Sequence, residues 1–87
     1  MFYTYALKNR RSGSWYIGYT ADITQRMSQH QKKKPEYTLL YFETYLDSGT
    51  ARERERALKL FGGAFRALKK RLGEESNISP RMRERDE

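Results

Sequence analysis

The stretch Ser14-Trp15-Tyr16-Ile17-Gly18-Tyr19-Thr20 indicates how this chain folds. Aromatic and β-branched residues dominate it and a glycine precedes it, which is typical of a short β-strand. Alternation along a strand puts Tyr16 and Gly18 on one face and the other bulky side chains on the opposite face. We expect the second face to supply core aromatics. The first face presents a phenol beside a residue without a side chain, where another group can approach closely.

The flanking segments predict a small domain that mixes strands and helices. Residues 2–7 read as a strand that can form a hairpin with the first stretch, which would bring Tyr5 near Tyr16. Residues 37–46 read as a further strand, and their apolar side chains on both faces favour a central position in the sheet. Helical periodicity and capping signals predict three helices, over residues 23–31, 51–61 and 64–72.

The second helix has its own start and stop signals. Thr50 is its predicted cap, and Gly62 and Gly63 are its predicted end. The aromatic residues expected in the core are Trp15, Phe42, Phe61 and Phe65.

The predicted domain boundary lies near residue 73. Residues 1–73 read as one domain, because no linker or internal repeat divides them. Residues 74–87 carry mixed charges and little apolar content, so we expect them to form a charged, disordered tail.

The charge of the chain favours a polyanionic partner. Its 87 residues include 18 Lys and Arg against 11 Asp and Glu, which gives a net charge of +7. Nucleic acid is the usual partner of such a chain, although solubility alone could also explain the charge. The sequence has no cysteine, which suits the cytoplasm and excludes disulfides and thiolate metal sites. No apolar run approaches the roughly 20 residues that span a bilayer, so we expect no membrane association.

A few separated side chains could share one catalytic site. Tyr5 and Tyr16 come from the two strands of the hairpin, and Arg26 and His30 are four residues apart on the first helix. Glu55 lies on the face of the second predicted helix that is expected to pack against the rest of the domain. One histidine, no cysteine and no acidic cluster exclude an ordinary zinc site and a two-metal nuclease site. The remaining set suits phosphodiester hydrolysis with one hard divalent cation, which takes a carboxylate, waters and phosphate oxygens.

The order of these residues resembles that of the GIY-YIG endonuclease family. The elements that carry the resemblance are Tyr3-Thr4-Tyr5, Tyr16-Ile17-Gly18-Tyr19-Thr20, Arg26, His30 and Arg54-Glu55-Arg56-Ala57-Leu58-Lys59. The chain is most similar to the small stand-alone members, which are similar to the N-terminal nuclease domain of the bacterial excision-repair nuclease subunit. The first element departs from the family name, because a tyrosine stands where the name has glycine.

The resemblance implies a fold, a reaction and a set of roles. The fold is an α+β domain with a three-stranded antiparallel sheet flanked by about three helices. The reaction is hydrolysis of DNA phosphodiester bonds with one divalent cation, Mg²⁺ or Mn²⁺. Tyr5 and Tyr16 would line the site, one as proton acceptor or water-positioning group. Arg26 would bind phosphate, His30 matches a histidine commonly found one turn later, and Glu55 would bind the metal.

Each candidate residue also has a structural interpretation. The two tyrosines could be ordinary sheet residues, Arg26 a surface residue and His30 a helix-end residue. Glu55 could be part of a solvated charge run over residues 52–56. The basic segment Lys32, Lys33 and Lys34 could contact DNA phosphates or form a solvated loop.

Two further functions therefore stay open beside a DNA endonuclease. One is a non-catalytic nucleic-acid-binding module that keeps the nuclease fold, and the other is a protein-interaction subunit. For the endonuclease we expect DNA as substrate, with branched or damaged DNA and a role in DNA repair as the finer expectation. The sequence shows no second DNA-binding module, which leaves room for a partner protein that supplies specificity.

Overall fold

Three strands and three helices make up residues 1–73, the part of the chain that the computed structural model describes. In chain order they are β1 (Phe2–Asn9), β2 (Trp15–Thr20), α1 (Ile23–Lys33), β3 (Tyr37–Tyr45), α2 (Ser48–Leu60) and α3 (Gly62–Leu72). The strands form an antiparallel sheet in the order β2-β1-β3. The predicted three-stranded α+β fold is confirmed. The tail predicted over residues 74–87 lies outside the described residues.

The central strand of the sheet is β1, so the prediction that gave this place to β3 was wrong. Four consecutive residues of β1, from Thr4 to Leu7, are buried, which requires cover on both faces of the strand. The β1–β2 hairpin occupies one side of β1, and β3 pairs with the other side. As an edge strand β3 is only partly covered, and Phe42, expected in the core, is 47% exposed.

A tight hairpin sets the register between β1 and β2. The amide of Asn9 donates to the Ser14 carbonyl at 2.8 Å, and the amide of Gly13 donates to the Asn9 carbonyl at 2.7 Å. Gly13 has a φ of 84°, in the left-handed region that glycine enters without steric cost. The resulting register places Tyr5 opposite Gly18.

One face of the sheet forms the main core with α2 and α3. Trp15 packs edge-on against Phe65 of α3, with ring centroids 5.3 Å apart. Leu58 of α2 lies in the same cluster. The buried residues of this cluster are Ala6, Trp15, Ile17, Leu58, Phe65 and Leu68. Because neighbouring strand residues point to opposite faces, Tyr5 lies on the face turned away from this core.

The helix boundaries correct several predictions. The first helix begins at Ile23 as expected, since Asp22 accepts from the Gln25 amide at 3.0 Å, but it continues to Lys33. The second helix begins three residues earlier than predicted, because the cap is Asp47 and not Thr50. Asp47 Oδ2 accepts from the Thr50 amide at 2.9 Å.

The junction between α2 and α3 also differs from the prediction. Gly62 and Gly63 were expected to end the second helix, whereas they begin α3. Phe61 lies between the two helices and caps both of them. Its side chain, expected in the core, is 60% exposed. None of the three helices within residues 1–73 has the length and apolar character that a membrane-spanning segment requires.

Candidate active site

The Tyr5 phenol lies directly over Gly18. Tyr5 is fully buried, with 0% of its surface exposed. A Cβ atom built on Gly18 would overlap both the phenol oxygen and Cζ of Tyr5, and it would lie 2.9 Å from Cε1. The missing side chain at Gly18 is therefore what admits the ring. The space that the sequence predicted beside Tyr16 is occupied by the phenol of the neighbouring strand.

Two side chains from α1 converge on the same phenol. His30 Nε2 lies 3.1 Å from Tyr5 Oη. Arg26 Nη1 donates to Tyr5 Oη at 3.4 Å and to the carbonyl of Tyr19 at 3.3 Å. Residues four apart lie on one side of a helix, so α1 presents both groups to the sheet at once. The predicted proximity of Tyr5, Arg26 and His30 is found in the structure.

The chemistry of the three groups fixes the direction of the hydrogen bond between Arg26 and Tyr5. A guanidinium can only donate, so the Tyr5 oxygen accepts from Arg26. A buried hydroxyl proton also needs an acceptor. His30 Nε2 can accept it when the imidazole is neutral, and the ring proton is then on Nδ1.

Burial favours the neutral form of both partners. Burial raises the pKa of Tyr5 from 10.0 to about 12, and the hydrogen bond from Arg26 offsets only part of this rise. Burial also lowers the pKa of His30 below its usual value of 6.5, and the positive charges of Arg26, Lys34 and Lys33 lower it further. A protonated phenol and a neutral imidazole therefore share the hydrogen bond at neutral pH.

The Tyr16 ring completes a cluster of three aromatic rings. Its centroid lies 6.2 Å from that of Tyr5, with nearly parallel planes, and 4.9 Å from that of His30, edge to face. The ammonium group of Lys34 lies 5.5 Å from the Tyr16 centroid and 5.7 Å from the Tyr37 centroid. Tyr16 is only half-buried, so it is the phenol of the pair that solvent can reach.

Glu55 lies on the helix that covers the opposite face of the sheet. Thr4 Oγ1 donates to the Ala51 carbonyl of α2 at 2.6 Å, whereas the adjacent Tyr5 contacts α1. Glu55 Oε2 lies 3.0 Å from Lys59 Nζ, and 23% of the Glu55 side chain is exposed. Among residues 1–73, no hydrogen bond, ion pair or ring contact joins Glu55 to the other predicted site residues. Four of the five side chains thus lie together, and the metal-binding role of Glu55 stays a prediction.

Glu55 is the described carboxylate that could hold a metal ion as a single protein ligand. The described residues contain no group of three or more His, Cys, Asp or Glu side chains that could hold a metal ion. Asp22 and Asp47 act as helix caps, and Glu43 accepts from Arg54 at 2.9 and 3.1 Å. The ion pair of Glu55 involves an exposed lysine, and such pairs contribute little. Its carboxylate is therefore available to a hard cation that fills its other positions with water and phosphate oxygens.

Two residues outside the predicted set also lie near Arg26, at the β2 edge of the sheet. The Tyr19 carbonyl accepts from Arg26, and the Tyr19 ring lies 5.0 Å from the guanidinium carbon of Arg52. The sequence had assigned Tyr19 to the core face and Arg52 to a solvated charge run. Helical spacing carried a signal, because Arg52 precedes Glu55 by three residues and so lies beside it on α2.

The three predicted DNA-binding lysines differ in their surroundings. Lys32 and Lys33 are exposed in the last turn of α1, not in a loop as expected. Lys34 follows as the C-cap, is half-buried, and donates its amide to the His30 carbonyl at 2.6 Å. Their contact with DNA stays a prediction.

Comparison with known proteins identifies a domain family over most of the chain. The family model of the GIY-YIG catalytic domain matches residues 1–70. No curated protein and no solved structure matches the chain significantly. Similarity to the excision-repair nuclease subunit stays a prediction.

Proposed function

The chain belongs to the GIY-YIG family of nuclease catalytic domains, and from this membership we propose that it is a DNA endonuclease that uses one divalent cation. The observation that carries the proposal is the convergence of Arg26 and His30 on the Tyr5 phenol beside the Tyr16 ring. This arrangement combines a phosphate-binding group, a neutral imidazole and an accessible phenol.

Burial separates the roles of the two tyrosines. Tyr5 has no exposed surface, so we assign to it the positioning of His30 and Arg26 instead of direct contact with the substrate. Tyr16 is half-buried and packs against His30. We assign to Tyr16 the orientation of the attacking water, because the Tyr5 hydroxyl already occupies His30 Nε2.

Arg26 is the group that would bind the scissile phosphate. A guanidinium has five N–H donors in one plane and matches the geometry of phosphate oxygens. Arg26 Nη1 donates to Tyr5 and to the Tyr19 carbonyl. These bonds fix the plane of the guanidinium and leave its other donors for the phosphate.

A divalent cation would supply the remaining chemistry. When bound, it stabilises the negative charge that develops on the phosphate and on the leaving oxygen. Glu55 is the residue that would hold it. Arg52 lies one helical turn before Glu55 and reaches Tyr19 at the edge of β2, where Arg26 also binds. Glu55 thus lies one turn of α2 away from the β2 edge that Arg52 and Arg26 both contact.

The charge distribution supports DNA as the substrate. Residues 1–73 contain fifteen of the 18 basic residues but only six of the 11 acidic ones. Helix α1 carries no acidic residue and ends in basic ones. Such a surface attracts phosphate backbones without selecting sequence. Branched or damaged substrates and a role in DNA repair are the finer part of the proposal.

A cleavage assay with matched glutamate variants tests the proposal. Supercoiled, branched and flapped DNA would be incubated with Mg²⁺ or Mn²⁺, with and without chelator. We expect metal-dependent cutting by the wild type and a loss of at least about 100-fold for Glu55→Gln, because metal stabilisation is worth several kcal/mol. Glu53→Gln is the control, since this exposed residue lies on the same helix and should not affect cutting.

Two results would count against the nuclease proposal. One is the absence of cutting on every DNA form with either metal, and the other is equal cutting by Glu55→Gln and wild type.

The different roles assigned to Tyr16 and Tyr5 predict different effects of their variants. We expect Tyr16→Phe to lower cleavage by about 10²–10⁴-fold, as for a group that acts on the attacking water. Tyr5→Phe should act through the placement of Arg26 and raise KM as well.

A non-catalytic nucleic-acid-binding module is the second candidate. The observation that favours it is the pairing of Glu55 with Lys59, on the face of the sheet opposite to Tyr5. Such a module would bind DNA or RNA in a salt-sensitive way that chelator does not alter. Binding without cutting, unchanged by Glu55→Gln, would support this candidate over the nuclease.

A further inference from the structure

Two arginines contact Tyr19, one from each face of the sheet. Arg26 of α1 donates to the Tyr19 carbonyl at 3.3 Å. Arg52 of α2 places its guanidinium carbon 5.0 Å from the centroid of the Tyr19 ring. Because β2 is an edge strand, two positive groups contact the same edge residue from opposite faces of the sheet.

Buried contacts fix the place of Arg52. Thr4 Oγ1 donates to the Ala51 carbonyl at 2.6 Å, and both residues are almost fully buried. Thr4 lies opposite Tyr19 in the sheet, so the residue after Ala51 comes to lie over the Tyr19 ring. Phe2 stacks beside Tyr19, with centroids 6.4 Å apart and planes 6° apart, which keeps that ring on the α2 face.

The Arg52 guanidinium keeps its donors available beside the Tyr19 ring. An arginine over an aromatic ring is held by cation–π attraction, while its N–H groups point outward in its own plane and can bind phosphate. Within residues 1–73 no carboxylate pairs with Arg52, in contrast to Arg54, which Glu43 holds through an ion pair of 2.9 Å. Arg52 is exposed.

We propose that Arg52, held by its cation–π contact with Tyr19, binds a backbone phosphate of the DNA strand next to the phosphate bound by Arg26. The strand then crosses the outer edge of β2 and contacts α1 on one side and α2 on the other. This inference rests on the proposed nuclease function and adds a binding residue that lies outside the predicted catalytic set.

The salt dependence of DNA binding tests this contact. Fluorescence anisotropy of a labelled DNA oligonucleotide in chelator would give the affinity at several salt concentrations for wild type, Arg52→Gln and Arg66→Gln. Each phosphate contact contributes about 0.9 to the slope of log K against log salt. We expect Arg52→Gln to lower the magnitude of this slope by about one and to weaken binding at low salt. Arg66→Gln is the matched control, an exposed arginine on α3, and should keep the wild-type slope.

The outcomes separate this inference from the nuclease proposal. If the wild type binds and cuts DNA but Arg52→Gln keeps the full slope, the Arg52 contact is overturned and the nuclease proposal stands. An equal loss of slope in Arg66→Gln would also overturn it, because binding would then depend on overall charge. If the wild type fails to bind DNA even at low salt, both proposals fall.

Discussion

The substitution Gly18→Ala tests the central contact of the site. The added methyl group would overlap the oxygen and Cζ of the Tyr5 phenol and approach Cε1 to 2.9 Å. The phenol cannot move without cost, because it is fully buried and bonded to His30 and Arg26. We therefore expect a loss of both stability and activity from one methyl group.

The expected magnitude follows from the contacts involved. Overpacking of a buried site costs about 1–3 kcal/mol. Displacement of the phenol also breaks its hydrogen bonds to His30 and Arg26, each worth about 0.5–1.5 kcal/mol. Alanine gives the unfolded chain less conformational freedom than glycine, which offsets about 0.4–1 kcal/mol of this loss of stability. The free energy of unfolding should fall by about 2–4 kcal/mol, a large fraction of the 5–15 kcal/mol typical of a protein domain.

Urea unfolding provides the measurement. The chain has a single tryptophan, Trp15, which is buried in the core and whose fluorescence should report the transition. Gly63→Ala is the matched control, because a Cβ there would meet nothing within 4 Å. That position lies in α3, where alanine should stabilise the helix by up to about 1 kcal/mol.

A double-mutant cycle identifies the clash as the cause. Tyr5→Leu removes the ring that the new methyl group would strike, so Gly18→Ala should cost far less in that background. Equal costs of Gly18→Ala in both backgrounds, or a Gly18→Ala protein with wild-type stability and activity, would refute the reasoning.

Two further predictions concern titration. His30 is the only histidine in the chain, so one NMR titration gives its pKa, which should lie below 6.5 because of burial and the nearby cations. As the pH falls, His30 is then protonated in the unfolded chain before it is protonated in the folded chain. The free energy of unfolding should therefore decline from about pH 6.5 downward. A folded-state pKa at or above 6.5 would contradict this. Burial alone would raise the pKa of Glu43, but hydrogen bonds from Arg54 and two tyrosine hydroxyls outweigh it and lower the pKa. The resulting stabilisation is present above pH 4.5 and lost as the pH falls through the folded-state pKa, so at pH 7 Glu43→Gln should cost about 1–3 kcal/mol in urea unfolding, whereas the exposed control Glu53→Gln should cost little.

Local pattern was sufficient to predict much of the candidate site. Strand alternation placed Tyr16 with Gly18, and helical spacing placed Arg26 with His30 on one side of α1. These rules act within one element, so they hold whatever the element packs against. The start of α2 was missed because two competing caps, Asp47 and Thr50, stand close together in the sequence, and the hydrogen bond from the Thr50 amide selects Asp47.

The sequence by itself determined the kind of each element and the residue types that could do chemistry, because these depend on composition and on periodicities of 2 and 3.6 residues. Only the tertiary structure decided that β1 is the central strand, that Tyr5 fills the space over Gly18, and that Glu55 lies across the sheet from Tyr5. It also decided that Arg52 reaches Tyr19. These contacts join residues far apart in the chain, and their geometry depends on how whole elements pack, which no local periodicity encodes.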